Sequence, residues 1–107
     1  MLDTYRYTVD FSNVKDYREI HSILEQSLNF PYYYGGHLDA LFDCLTDMLC
    51  YNSIIEIHGL EKLKKYNDYD QKIIEVFQDA KHDWGDEFAD RLLVTIVHED
   101  GTCEEIK

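Results

Sequence analysis

Apolar and polar residues alternate from Tyr5 to Phe11. Tyr5, Tyr7, Val9 and Phe11 fall on one face of an extended chain, and Arg6, Thr8 and Asp10 on the other. This predicts a first strand. Ser12 and Asn13 are N-cap residue types, and Val14, Tyr17, Ile20, Leu24 and Leu28 then recur at helical spacing, predicting a helix that ends near Leu28. Asn29 to Gly36 holds a proline and paired glycines and reads as a loop. From about His37 to Cys50 the core stripe is Leu38, Leu41, Leu45, Met48 and Leu49, with Phe42 at its border. Asp39, Asp43, Thr46 and Asp47 face away from it.

SIIEIH, Ser53 to His58, predicts the second strand. Leu60 to Tyr66 reads as a short helical turn, and Tyr69 to about His82 as a helix that turns Ile73, Phe77, Ala80 and Trp84 inward. LLVTIV, Leu92 to Val97, is nearly unbroken in apolar character, which suits a strand covered on both faces. The order β, α, α, β, α, α, β predicts a small α/β domain. It is expected to be three-layer-like, with a three-stranded, mainly parallel sheet packed with three to four helices. The tail from Glu99 to Lys107 turns at Asp100-Gly101 and predicts a short hairpin strand over Thr102 to Ile106. No linker or repeat divides the sequence, so residues 1–107 are read as a single domain.

With 45% hydrophobic and 14% aromatic residues the chain has material for a core despite its charge. Its net charge of -12 repels nucleic acid and anionic membranes and attracts basic partners. Charge alone does not choose between an ordinary acidic surface and a dedicated basic target. Cys44, Cys50 and Cys103 are odd in number and lack CxxC spacing, which fits reduced thiols, with Cys44 as a small buried hydrophobe. The N-terminus has neither the basic start nor the apolar run of a signal peptide, so a reducing, cytoplasmic location is expected.

His21, His37, His58, His82 and His98 are scattered singly. Asp39 with Asp43, and His82 with Asp83, Asp86 and Glu87, are the groups to weigh as acid/base pairs or metal ligands. Neither has the spacing of an HExxH helix, an EF-hand loop or a nucleophile elbow. The expectation is therefore no catalytic residue, no metal, no cofactor and no small-molecule substrate.

The unusual feature is PYYYGGHLDALFDCLTD, Pro31 to Asp47. Residues four apart on a helix are separated by about 6 Å of rise, so Asp39, Asp43 and Asp47 form a line of carboxylates. Like charges at that spacing cost a few tenths of a kcal/mol per pair, partly offset for Asp39 near the helix N-terminus. A solvated helix face would explain the charges alone. Tyr32, Tyr33 and Tyr34 immediately upstream add rigid contact area with polar tips, a composition found at protein interfaces. One of the three is expected to be buried and at least one exposed. Gly35 and Gly36 allow a sharp turn into the helix and leave room for a partner. Together these residues suggest an acidic, aromatic plug for a positively charged cleft.

The run YYGGHLDALFDCLTD, Tyr33 to Asp47, resembles the signature segment of the barstar family, the intracellular inhibitors of barnase-type ribonucleases. IIEVFQDAK, Ile73 to Lys81, is similar to that family's last helix. The likeness covers roughly Tyr5 to Val97 and is strongest in these two segments. It implies a barstar-like fold and a ribonuclease inhibitor or immunity protein. In that family the loop and second helix enter the enzyme's active site, carboxylates lying where substrate phosphates would. By resemblance Tyr33 falls on a contacting tyrosine, Asp39 and Asp43 on the central acidic residues and Thr46 on a supporting contact. Asp79 falls on a peripheral acidic contact where the family has glutamate. Tyr34, Gly35, Gly36, His37, Phe42 and Asp47 complete the expected partner-binding set.

Three departures bear on the target. Phe42 stands in place of a tryptophan, Gly36-His37 in place of an acidic residue and an asparagine, and Asp47-Met48 in place of a glycine and a second tryptophan. The expected partner is a basic ribonuclease of the barnase type or a related toxin. The alternative is an acidic binding module of the same fold that takes another basic partner without inhibiting a ribonuclease.

Overall fold

Strand β1 (Thr4–Asp10) forms where the alternation predicts it, in a computed structural model that describes residues 3–107. It pairs in parallel with β2 (Asn52–His58), which pairs in parallel with β3 (Leu92–Val97). The tail supplies β4 (Cys103–Glu105), antiparallel to β3, and the strands lie in the order β1-β2-β3-β4. Parallel neighbours cannot be joined by a tight turn. Helices α1 (Glu19–Ser27) and α2 (Leu38–Asp47) therefore cross between β1 and β2, and α3 (Tyr69–Lys81) between β2 and β3. The sheet is thus mainly parallel, and the predicted C-terminal hairpin makes it four-stranded.

The register sets Val9, Ile57 and Ile96 abreast, with Tyr7, Ile55 and Val94 one step back. This face meets Ile20 and Leu24 of α1, Leu41 and Leu45 of α2, and Ile73 and Phe77 of α3 in one hydrophobic core. Each such side chain contributes about 1.5–3 kcal/mol when fully buried. On the opposite face every position of the four strands keeps some exposure. The expectation that β3 is covered on both faces is corrected: the sheet is buried on one side, giving two layers rather than a three-layer-like arrangement. Ile54 and Leu93 lie side by side in the register and account for much of the apolar material on the open face.

Helix α1 starts at Glu19, well after the predicted Ser12-Asn13 cap. The Asp10 carboxylate accepts from both the Ser12 N–H and the Ser12 hydroxyl, at 2.9 and 2.6 Å, so that hydroxyl is committed to a turn. The helix is set instead by Asp16, which accepts from the Arg18 N–H at 2.9 Å, and by Glu19, which accepts from the Lys15 N–H at 2.6 Å. Tyr17, expected in the apolar stripe, consequently lies outside and is 64% exposed. The last turn expected of the second helix tightens into a 3-10 segment, Met48–Cys50, and a second 3-10 segment spans Leu60–Lys65.

Trp84 is not inward. Helix α3 has ended at Lys81, and the indole, 40% exposed, packs edge-on against Phe88 at 6.0 Å. Cys44 is half-buried rather than buried, while Cys50 and Cys103 are exposed thiols. Beyond β4, Ile106 closes the core, and the buried Lys81 Nζ donates to the Ile106 carbonyl at 3.0 Å. No helix among the described residues is long and apolar enough to cross a membrane.

Candidate partner-binding face

The approach to α2 is fixed residue by residue. Asn29 adopts φ 56° just past α1, and the Phe30 N–H reaches back to the Glu25 carbonyl at 3.0 Å, closing that helix with a left-handed cap. A turn follows in which the Tyr34 N–H donates to the Pro31 carbonyl at 2.9 Å. Gly36 sits at φ 70°, a conformation in which a side chain is strained. At Gly35 a Cβ would lie 2.7 Å from Nε2 of His37. That ring is held in place because Nδ1 of His37 caps α2, accepting the Ala40 N–H at 3.1 Å.

The three tyrosines divide as their surroundings dictate. Tyr32 is 94% and Tyr33 73% exposed, edge-on to each other at 5.6 Å. Tyr34 turns inward and is half-buried beside Phe30. Its hydroxyl meets Nδ1 of His21 at 2.5 Å, and Nε2 of the same ring meets the Tyr69 hydroxyl at 2.7 Å. One imidazole of α1 therefore ties the loop to the first turn of α3. Burial lowers the pKa of His21, with the nearby His37 adding to the effect, so the ring is neutral near pH 7, one nitrogen donating and the other accepting. Burial raises the hydroxyl pKa of Tyr34 and Tyr69, and both remain protonated.

On α2 the carboxylates of Asp39, Asp43 and Asp47 are exposed, and none has an ion-pair or hydrogen-bond partner among the described residues. Phe42 and Thr46 beside them are half-buried, and the Thr46 hydroxyl donates to the Asp43 carbonyl at 2.9 Å. Thr46 therefore offers a partner only acceptor lone pairs. Burial, then the charges of Asp47 and Asp43, raise the Cys44 thiol pKa, which keeps it un-ionised and a poor nucleophile. Tyr33, Tyr34, Gly35, His37 and Asp43 share the rim of a shallow depression of about 250 Å³ with Ala40 and Cys44. Gly36 and His37 border a second one, about 330 Å³, with Tyr17, Arg18, His21 and Tyr69.

The structure thus gathers most of the expected set around the loop and the first turns of α2. Asp39, Phe42, Thr46 and Asp47 extend it along the helix. Asp79 is exposed on α3, which packs against α2, and lines neither depression. His21 and Tyr69 had no signal in the sequence beyond their residue types, because only folding brings them to the loop. Among the described residues no cluster of three His, Cys, Asp or Glu has the geometry of a metal site.

Comparison with known proteins shows the family. Residues 5–96 match the family described as Barstar (barnase inhibitor). The Bacillus subtilis (strain 168) protein named "Putative ribonuclease inhibitor YrdF" is 35% identical over 80 residues, covering 74% of this chain and 85% of that protein. The family match over residues 5–96 and the identity to this relative lead to one conclusion: this protein belongs to the barstar family of barnase inhibitors.

Proposed function

We propose that this chain inhibits a basic, barnase-type ribonuclease by laying α2 and the loop before it into the enzyme's active site. Asp39 and Asp43 pair there with the arginine, lysine or histidine side chains that otherwise hold substrate phosphates, and Asp47 extends the acidic line. The observation that carries this reading is the free state of the three carboxylates. They stand on the exposed face of the helix with no ion-pair partner among the described residues, at a cost to the isolated helix that a basic partner would reverse. Tyr33, together with Tyr32, supplies the apolar contact that excludes water around the ion pairs. Tyr34 supports the loop from beneath because its hydroxyl is already engaged with His21. Gly35, Gly36 and His37 shape the approach, Phe42 and Thr46 fill the helix surface between the carboxylates, and Asp79 makes a peripheral contact from α3.

Blocking is competitive and requires no bond-making step by the inhibitor. The test is the RNA-cleavage rate of barnase titrated with this protein, alongside the variant carrying Asp39→Ala and Asp43→Ala. Stoichiometric inhibition that the variant loses is the expected result. Full RNA cleavage in the presence of excess folded wild type would reject the reading and direct attention to a different basic partner.

A further inference from the structure

The surface depressions around the loop do not end at His37. The second of them shares Tyr17 and Tyr69 with a larger groove, about 390 Å³, lined also by Lys65, Tyr66, Asn67 and Lys72. One track therefore runs from Asp43 past His37 and Tyr17 to Lys72. Its charge changes sign along the way. The second depression and the groove contain no Asp or Glu in their linings, in a chain with 22 acidic residues. Arg18 is held by Asp16 at 3.1 Å, but Lys65 and Lys72 have no ion pair among the described residues. They lie over the rings of Tyr66 and Tyr69, at 5.3 and 5.8 Å from the centroids.

Free lysines are unfavourable on an inhibitor that must approach a basic enzyme, unless the enzyme brings an acidic group to them. Exposed tyrosine with cationic side chains is also a composition that interfaces favour. We infer that this groove receives an acidic segment of the same ribonuclease whose basic site α2 engages, so that the two proteins meet through an acidic and a basic region of one continuous surface. The inference rests on the reading of α2 given above. The volume alone would also admit a nucleotide. A free phosphate, however, meets the field of a chain with net charge -12, whereas a segment carried by the docked enzyme arrives at high effective concentration.

The two regions predict opposite signs for one experiment. Lys65→Glu with Lys72→Glu makes the inhibitor four charges more acidic, which by itself hastens association with a basic enzyme and tightens binding. If the groove is occupied, the same double reversal raises Kd for barnase by about tenfold through faster dissociation, exposed ion pairs being worth up to about fivefold each. Tyr17→Ala, at an exposed position outside the core, shifts Kd in the same direction with no change of charge. Stopped-flow association and dissociation rates, with circular dichroism to verify folding, provide the readout. An unchanged or lower Kd in the double reversal, while wild type still inhibits, overturns the groove assignment and leaves the role of α2 intact. Failure of wild type to inhibit would reject both. Saturable binding of uridine 3'-monophosphate to the free protein, lost in the same reversal, would overturn the assignment in favour of a nucleotide site.

Discussion

At the scale of single residues, the loop depends on side chains that leave no room for change. The Cβ of a Gly35→Ala variant would displace His37 and so remove the cap from α2. Loss of a cap costs about 1 kcal/mol, and urea unfolding of Gly35→Ala should show a destabilisation of that order together with weaker inhibition. His21 gives the loop a pH dependence. Its pKa is lowered in the folded protein, so the unfolded chain binds the proton more readily. The stability it contributes is therefore complete above the ordinary histidine pKa of about 6.5 and declines as pH falls below it. A protonated ring also removes the nitrogen that accepts from one of the two phenols. Amide exchange of residues 29–37 should accelerate below about pH 6.5 in wild type and lose that dependence in His21→Gln. A loop whose exchange, corrected for intrinsic rates, is flat with pH in wild type would contradict this account.

At the scale of elements, α2 sets stability against function. Asp43 lies one turn from both Asp39 and Asp47, and relief of two like-charge pairs in Asp43→Asn should stabilise the fold by about 0.5 kcal/mol. In the proposed complex the same change removes a carboxylate that pairs with the ribonuclease. Truncating one member of a buried charge pair costs about 2–5 kcal/mol of binding, a range to which the barnase–barstar interface is itself a contributor. Chemical denaturation and inhibition constants measured on one preparation would reveal the two opposite signs. A variant that loses stability and keeps full inhibition would mean that the carboxylate serves the fold. Helix α1 serves the face differently, by delivering His21 to the loop. Its late start at Glu19 puts Tyr17 and Arg18 on the surface beside Gly36 and His37.

At the scale of the whole molecule, the last ten residues are structural. Ile106 is 3% exposed inside the core, and Ile106→Ala should cost about 2–5 kcal/mol in unfolding experiments, an amount an untethered tail would not show. His82 binds the same tail through the Lys107 carbonyl at 2.5 Å while its other ring nitrogen meets Asp86, four residues on, at 2.9 Å, and these two bonds raise its pKa. The sign is opposite to that of His21: this contribution is complete below about pH 6.5 and is lost as pH rises through the raised folded value. Histidine NMR titrations should separate the two ends of the molecule, His21 titrating below the ordinary value and His82 above it. Net charge acts on encounter rather than on the fold. Association with a basic ribonuclease should slow steeply between low and physiological salt, and an on-rate insensitive to salt would exclude steering.

What the sequence determined is what periodicity and local chemistry encode. The alternation of Tyr5 to Phe11 specified β1, the apolar runs specified β2 and β3, and the leucine stripe oriented α2 so that its aspartates had to face outward. Asp100-Gly101 marked the turn into β4, and the run from Tyr33 to Asp47 carried the family. Each of these signals lies within a few residues of its effect. The tertiary structure decided everything that joins distant positions. Ser12 is an N-cap type, but Asp10 captures it, and that competition is settled by the geometry of the turn. The nearly unbroken apolar run of β3 resembled a strand covered on both faces, yet coverage depends on which side the helices pack. The His21 link to Tyr34 and Tyr69 spans 13 and 48 positions, and the basic groove joins Tyr17 to Lys72. No local pattern distinguishes those side chains from ordinary surface residues, because their role arises from a proximity that only the closed core creates.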